Sequence, residues 1–375
     1  MNLQLRKRFK MTVAGWFSRC LRRPKLTATA LRGSNPDRIL IVRQHNQMGD
    51  MVCATPALRA IRETFPRAKL ALVCAPLNWG VVRHNPDLDL VLVFDKKTWT
   101  QPTSFWRFIR KLRTFDPDMA FVLNSVSFSM TSAGLAVASG APFIIGGDSR
   151  PFGWDISRHL YSLEMPTRPK PDQHAVRHSM APLSAIGITT ENLATVVVPS
   201  SDERQQAVEI MTRLAGEEPF WLLHPGAGKK ENLWPADRFA TIAVRTAANG
   251  YRVVVLQGPA DLEVMGKFWT AVDNEADRNY RSRILQAPLL PVGVCAALLA
   301  AADRFLCNDT GLMHVAGAVG VSTLALFGPT DPHIWKPLAT NVVGLVAPGG
   351  CLSSLSSEEV WEAWLGLSAH QAGSS

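Results

Sequence analysis

The sequence has no apolar run approaching the ~18 residues that a membrane-spanning helix needs. The longest candidate, Val292 to Ala302, is short and Ala-rich and reads as a buried helix. None of the six cysteines (Cys20, Cys53, Cys74, Cys295, Cys307, Cys351) forms a Cys-x-x-Cys pair or has a His-rich neighbour. That excludes a zinc ribbon and a disulfide framework, and it points to a reduced, cytosolic protein. Acidic residues are missing altogether from residues 1–36, which carry Arg6, Lys7, Arg8, Lys10, Arg19, Arg22, Arg23, Lys25 and Arg32. Those nine cations equal the whole net charge of +9, so residues 37–375 are neutral overall. The basic pI therefore belongs to a tail and gives no reason to expect a nucleic-acid-binding face on the folded body.

Within that tail Phe9, Val13, Trp16, Phe17 and Leu21 recur at helical spacing among the cations. The pattern fits a basic amphipathic segment lying on an anionic membrane surface, and it equally fits a solvated tail. Its apolar stretch is followed by more arginines and not by a small-residue cleavage site, so it is not a secretory signal.

The 375 residues suffice for two domains. From Arg38 onward, short continuous apolar runs alternate with amphipathic helical patterns: Arg38–Arg43, Lys69–Ala75, Leu90–Phe94 and Met119–Leu123 as strands, with a helix through Phe105, Phe108, Ile109 and Leu112. This predicts a parallel sheet covered on both faces. Residues 148–175 read as an irregular excursion, Val176 to Leu183 as a helix, and Ala194–Val198 as a short strand. The pattern restarts at Trp221–His224 and continues through a helix over Pro235–Asn249, strands at Arg252–Leu256, Arg304–Cys307 and Ser322–Phe327, and a helix over Gly311–Gly320. The expected organisation is a basic tail (1–36), a first Rossmann-like domain (37–200), a linker (201–219) and a second Rossmann-like domain (220–345). A C-terminal segment (346–375) would follow, with a helix packing back toward the first domain.

Ligands of open parallel sheets bind beyond the C-terminal strand ends, and three loops there carry unusual residues. Gln44 to Asp50 contains Gly49, which permits close backbone approach, and Asp50, whose carboxylate could accept a proton or merely cap a turn. Gly226, Ala227, Gly228, Lys229 and Lys230 follow His224-Pro225 and suit a phosphate, although the spacing is neither a Walker A loop nor G-x-G-x-x-G. Asn308-Asp309-Thr310-Gly311-Leu312-Met313-His314 joins a strand end to a helix start, where exposed N–H groups and the helix dipole attract an anion. Thr310 adds a hydroxyl, and His314 stands one turn further in. Asp261, after Gly258, could reach a ribose hydroxyl or cap the next helix.

Taken in order, these loops resemble glycosyltransferase family 9, the ADP-heptose:lipopolysaccharide heptosyltransferases. The resemblance is carried by Arg43, Gly49-Asp50 and Thr55-Pro56-Ala57-Leu58, then by His224-Pro225-Gly226-Ala227 with Trp234-Pro235. It ends with Asn308-Asp309-Thr310-Gly311 and His314, followed by Leu326-Phe327-Gly328-Pro329-Thr330 and Trp335. It implies an α/β GT-B fold, with two parallel sheets facing a central cleft, and transfer with inversion without metal or cofactor. Asp50 would then be the general base, and Thr310, Gly311 and His314 the donor diphosphate site. Asp309 would contact the donor sugar or orient its loop. Asn232 departs from the family pattern, which often has Lys two residues before the Trp-Pro pair; Lys229 or Lys230 could supply that charge. The implied partners are a nucleotide-sugar donor such as ADP-heptose, a lipid-linked glycan acceptor and the inner face of the inner membrane. The rival readings are a sugar-nucleotide epimerase and a non-catalytic sugar-nucleotide-binding module on the same fold.

Overall fold

The computed structural model describes residues 23–367 apart from 171 and 217. The described residues form two compact units, one of residues up to 47 and 54–193, the other of residues 48–53 and from 194 onward.

The first unit is built on six strands: β1 (Arg38–Arg43), β2 (Lys69–Cys74), β3 (Leu90–Val93), β4 (Met119–Val122), β5 (Phe143–Gly147) and β6 (Leu163–Met165). They lie in the order β3-β2-β1-β4-β5-β6, with every pair parallel. Ile39, Leu40, Ile41 and Val42 of β1 are fully buried, as expected of a central strand covered by helices on both faces. The strand order reverses between β1 and β4, which leaves a crevice at their C-terminal ends.

The second unit repeats the plan with β7 (Phe220–His224), β8 (Arg252–Val255), β9 (Ile284–Gln286), β10 (Arg304–Asn308), β11 (Ser322–Phe327) and β12 (Val342–Val346). Its order, β12-β11-β10-β7-β8-β9, is the same doubly wound topology, and its switch point falls between β7 and β10. The helix Ala236–Ala248 buries Phe239, Ala240, Ile242 and Ala243, and it ends before Gly250, whose φ of +88° only glycine adopts freely. Trp234, Phe239, Phe268 and Trp364 fill one side of this core.

Several expectations are corrected. Residues 201–214 are a helix, Ser201–Leu214, and not a linker; Ser200 and Glu203 close a capping box at its start, and Ala207 and Met211 are buried. Ala194–Val198 is not a strand, and the passage between units falls at 193/194. The helix Ser357–Leu365 packs on the second unit's own core: Val360 and Trp364 are fully buried, and the Trp364 indole N–H donates to Thr246. The 148–175 stretch contains the helix Ser157–Leu160 and β6. The helix Thr55–Thr64 has Ala54 at its N-cap position and follows almost directly on another short helix, Met48–Val52.

Most of the basic tail, residues 1–22, lies outside the described residues. The part that is described, 23–36, belongs to the first unit's surface and is not a free tail. Ala28–Arg32 is helical with Leu31 fully buried, Lys25 donates to the carbonyls of Arg158 and Tyr161, and Arg32 donates to that of Ile186. Among the described residues no helix is long and apolar enough to cross a membrane.

Candidate active site

The second unit's switch point brings two of the three predicted loops together, because they leave the adjacent strands β7 and β10. Asn308, the last residue of β10, is completely buried and joins them. Its amide donates to the carbonyls of Pro225 (2.8 Å) and Gly226 (3.2 Å), and its Oδ1 accepts the Trp234 N–H at 3.1 Å. The loop after β7 is thus tied at both ends to one side chain. Sequence reasoning placed Asn308 in the motif but gave it no role.

Beyond Asn308 the chain turns through Asp309 and Thr310 into the helix Gly311–Val319. Thr310 is the N-cap residue in extended conformation, yet its hydroxyl does not cap the helix. That Oγ is buried and has no hydrogen-bond partner. A buried hydroxyl beside unsatisfied helix N–H groups is poised for an anionic ligand. Burial raises the Asp309 carboxyl above the usual range, against the opposing pull of the Thr330 hydroxyl and the Lys229 charge. Asn232 donates to Oδ2 of Asp309 at 3.3 Å. The two lysines divide: Lys229 acts on Asp309, while Lys230 lines a separate cavity of about 560 Å³ with Ala227, Gly228, Trp234 and Asp261.

Asp261 occupies the N-cap position of the helix Leu262–Glu275, but its side chain makes no capping bond. Its Oδ2 instead accepts from His224 Nε2 at 3.0 Å and from the Gly258 N–H at 2.6 Å. The carboxylate also fills the space that a side chain at Gly226 would need, so glycine is required there. Asp261 therefore does not cap its helix, and much of its hydrogen-bonding capacity is used inside the protein.

The predicted base loop contributes through residues 48–53, which group with this same unit. Its five-residue helix, Met48–Val52, packs against the start of Gly311–Val319. Met48 lies over Gly311, and Gly49 lies against the His314 ring so closely that a side chain at Gly49 would clash with it. His314 is 5% exposed, and its Nδ1 stands 3.4 Å from the buried Cys53 thiol. Asp50 is half-buried on the short helix between those contacts. Asp50, Thr310, Gly311 and His314 therefore share one neighbourhood, with Asp309 beside it. Among the described residues no three His, Cys, Asp or Glu side chains cluster as a metal site.

The family model for glycosyltransferase family 9 (heptosyltransferase) matches residues 105–365. The chain belongs to this family. The match contains the loops after β7 and β10 but starts beyond Asp50. Among curated relatives, lipopolysaccharide heptosyltransferase 3 of Escherichia coli K12 is 21% identical over 79% of this chain and 84% of its own length. Lipopolysaccharide heptosyltransferase 2 of Salmonella typhimurium is 31% identical over a shorter span, 34% of this chain and 36% of its own. Among solved structures, a family 9 glycosyltransferase of Veillonella parvula superposes with a TM-score of 0.75 at 24% identity, covering 88% of this chain and 96% of that one. The E. coli ADP-heptose heptosyltransferase II gives 0.71 at 20% identity, covering 87% and 96%. The two doubly wound sheets are thus the GT-B fold of this family, and the protein is a glycosyltransferase.

Proposed function

We propose that this family 9 enzyme transfers a heptosyl group from ADP-heptose to a lipopolysaccharide-core or related lipid-linked acceptor, with inversion in a single displacement. The observation that carries the reading is the packing of the Asp50 segment on the Gly311–Val319 helix start, beside the unpartnered Thr310 hydroxyl. Asp50 takes the proton of the attacking acceptor hydroxyl as the anomeric C–O bond to the diphosphate breaks. The charge that develops on the leaving ADP is met by the N–H groups at Gly311, by the Thr310 hydroxyl and by His314 one turn behind them. Lys229 and Lys230 extend the positive field from the Gly226-Ala227-Gly228 loop. Removing one such preorganised donor costs about 3–4 kcal/mol in comparable sites. Asp309, held by Asn232, faces the donor sugar. Asp261 shapes the nucleotide edge by holding His224 and Gly258, and contacts the ribose through its remaining oxygen. Arg6, Lys7, Arg8, Lys10, Arg19 and Arg22 hold the enzyme at an anionic inner-membrane surface.

The test is Asp50→Asn. Transfer is expected to fall roughly 10²–10⁴-fold, the range for a general base, while calorimetry shows ADP bound as tightly as by the wild type and more tightly than UDP or GDP. Equal loss of ADP binding and transfer would remove Asp50 from the base role. A preference for UDP or GDP would overturn the donor assignment.

A further inference from the structure

The first unit carries a second group of cations, apart in sequence from residues 1–36 and from the loops described above. The helix Pro102–Phe115 has four cations, Arg107, Arg110, Lys111 and Arg113, and no acidic residue. Ile109 and Leu112 bury its inner face, with Phe105 and Phe108 partly buried beside them, so all four cations project outward. Among the described residues no ion pair involves Arg107, Arg110 or Lys111, and Arg113 donates only to the Ala138 carbonyl. The flanking acids are engaged elsewhere: Asp95 accepts the Lys97 N–H, and Asp116 pairs with Arg38.

An indole stands among these charges. Trp106 is 65% exposed. It is the outer end of an aromatic ladder that runs through Phe105 and Trp99 to the buried Phe94, with ring centroids 4.8–5.9 Å apart. The indole is therefore braced from the core and held outward. Beside it, Arg107, Arg110 and Lys111 rim a depression of about 530 Å³ with an apolar floor that includes Leu90 and Phe115. Leu90 belongs to β3, the edge strand of the sheet, and is itself exposed.

We infer that this helix face docks on an anionic lipid bilayer. Its cations would sit at headgroup phosphates while Trp106 enters the interfacial layer. An exposed helix face presents such groups to a plane, and a bilayer interface accepts both the charges and the indole. A nucleic-acid backbone would satisfy the cations but offers nothing apolar to Leu90. Attractions of single cations to an anionic surface accumulate, so the patch adds to whatever the N-terminal residues supply. The inference is independent of the transfer reaction, because vesicle binding is measured without donor or acceptor.

The experiment uses the full chain with vesicles of phosphatidylcholine alone and with 30% phosphatidylglycerol, read by flotation. The variants are R107Q/R110Q/K111Q and, separately, Trp106→Ser, both with residues 1–36 intact. Wild type should bind the anionic vesicles, weakening with salt, and bind neutral ones at least tenfold less. Each variant should lose at least fivefold in affinity with unchanged circular dichroism. Undiminished binding by the charge variant would overturn the proposal. So would equal wild-type binding to neutral vesicles, or binding to a DNA duplex as tight as to vesicles and lost in the same variants.

Discussion

Gly49 lies against the imidazole of His314 so closely that a methyl group built on it would stand 2.6 Å from the ring's Cδ2. This contact sets how far the Asp50-bearing helix can approach the start of Gly311–Val319. Neither partner can yield easily, since His314 is buried and Cys53 holds its other edge. Gly49→Ala should therefore displace Asp50 relative to Thr310, and steady-state kinetics should show kcat lowered at least about tenfold, as sub-ångström to ångström misplacement does elsewhere. A variant with wild-type kcat would mean that the segment has slack and that its spacing is not catalytic.

Asp309→Asn is expected to separate stability from activity. Burial raises this carboxyl, so its ionised form is penalised in the folded state. For a raised acid the penalty is absent below the unfolded value near 4 and grows as pH rises through the folded value. At pH 7 the amide should therefore raise the thermal midpoint, with the gain vanishing toward pH 4, while transfer falls. A lowered midpoint at pH 7 would show that the charge stabilises the loop.

Asp261 behaves in the opposite sense. Burial alone would raise it, but the hydrogen bond and charge of His224, with the Gly258 N–H, hold it below the ordinary range. Its contribution is complete above the unfolded value near 4 and is lost as pH falls through the depressed folded value. Asp261→Asn should lower the thermal midpoint at neutral pH, and the difference should close in acid below about pH 4. A gap that persists unchanged at pH 3 would place the effect in packing and not in the carboxylate.

Much of this was legible from residue order. The continuous apolar runs predicted the central strands of both sheets, because a strand covered on two faces needs no alternation. The loops at β7 and β10 stood out in the sequence as candidate phosphate loops, and the structure puts them on neighbouring strands. Other features were hidden for physical reasons. Met48–Val52 is too short to show a period. The helix Ser201–Leu214 carried a readable signal, Ser200 three residues before Glu203, but its polar surface resembled a linker. Asn308 meets partners more than 70 residues away, which no local pattern announces.

That single amide has a kinetic corollary. Because it grips Pro225, Gly226 and Trp234 at once, the segment between them cannot fray one bond at a time. The Trp234 amide hydrogen, held by that buried oxygen, should exchange in step with opening of the sheet itself, so the loop's anchorage is as durable as the domain that houses it.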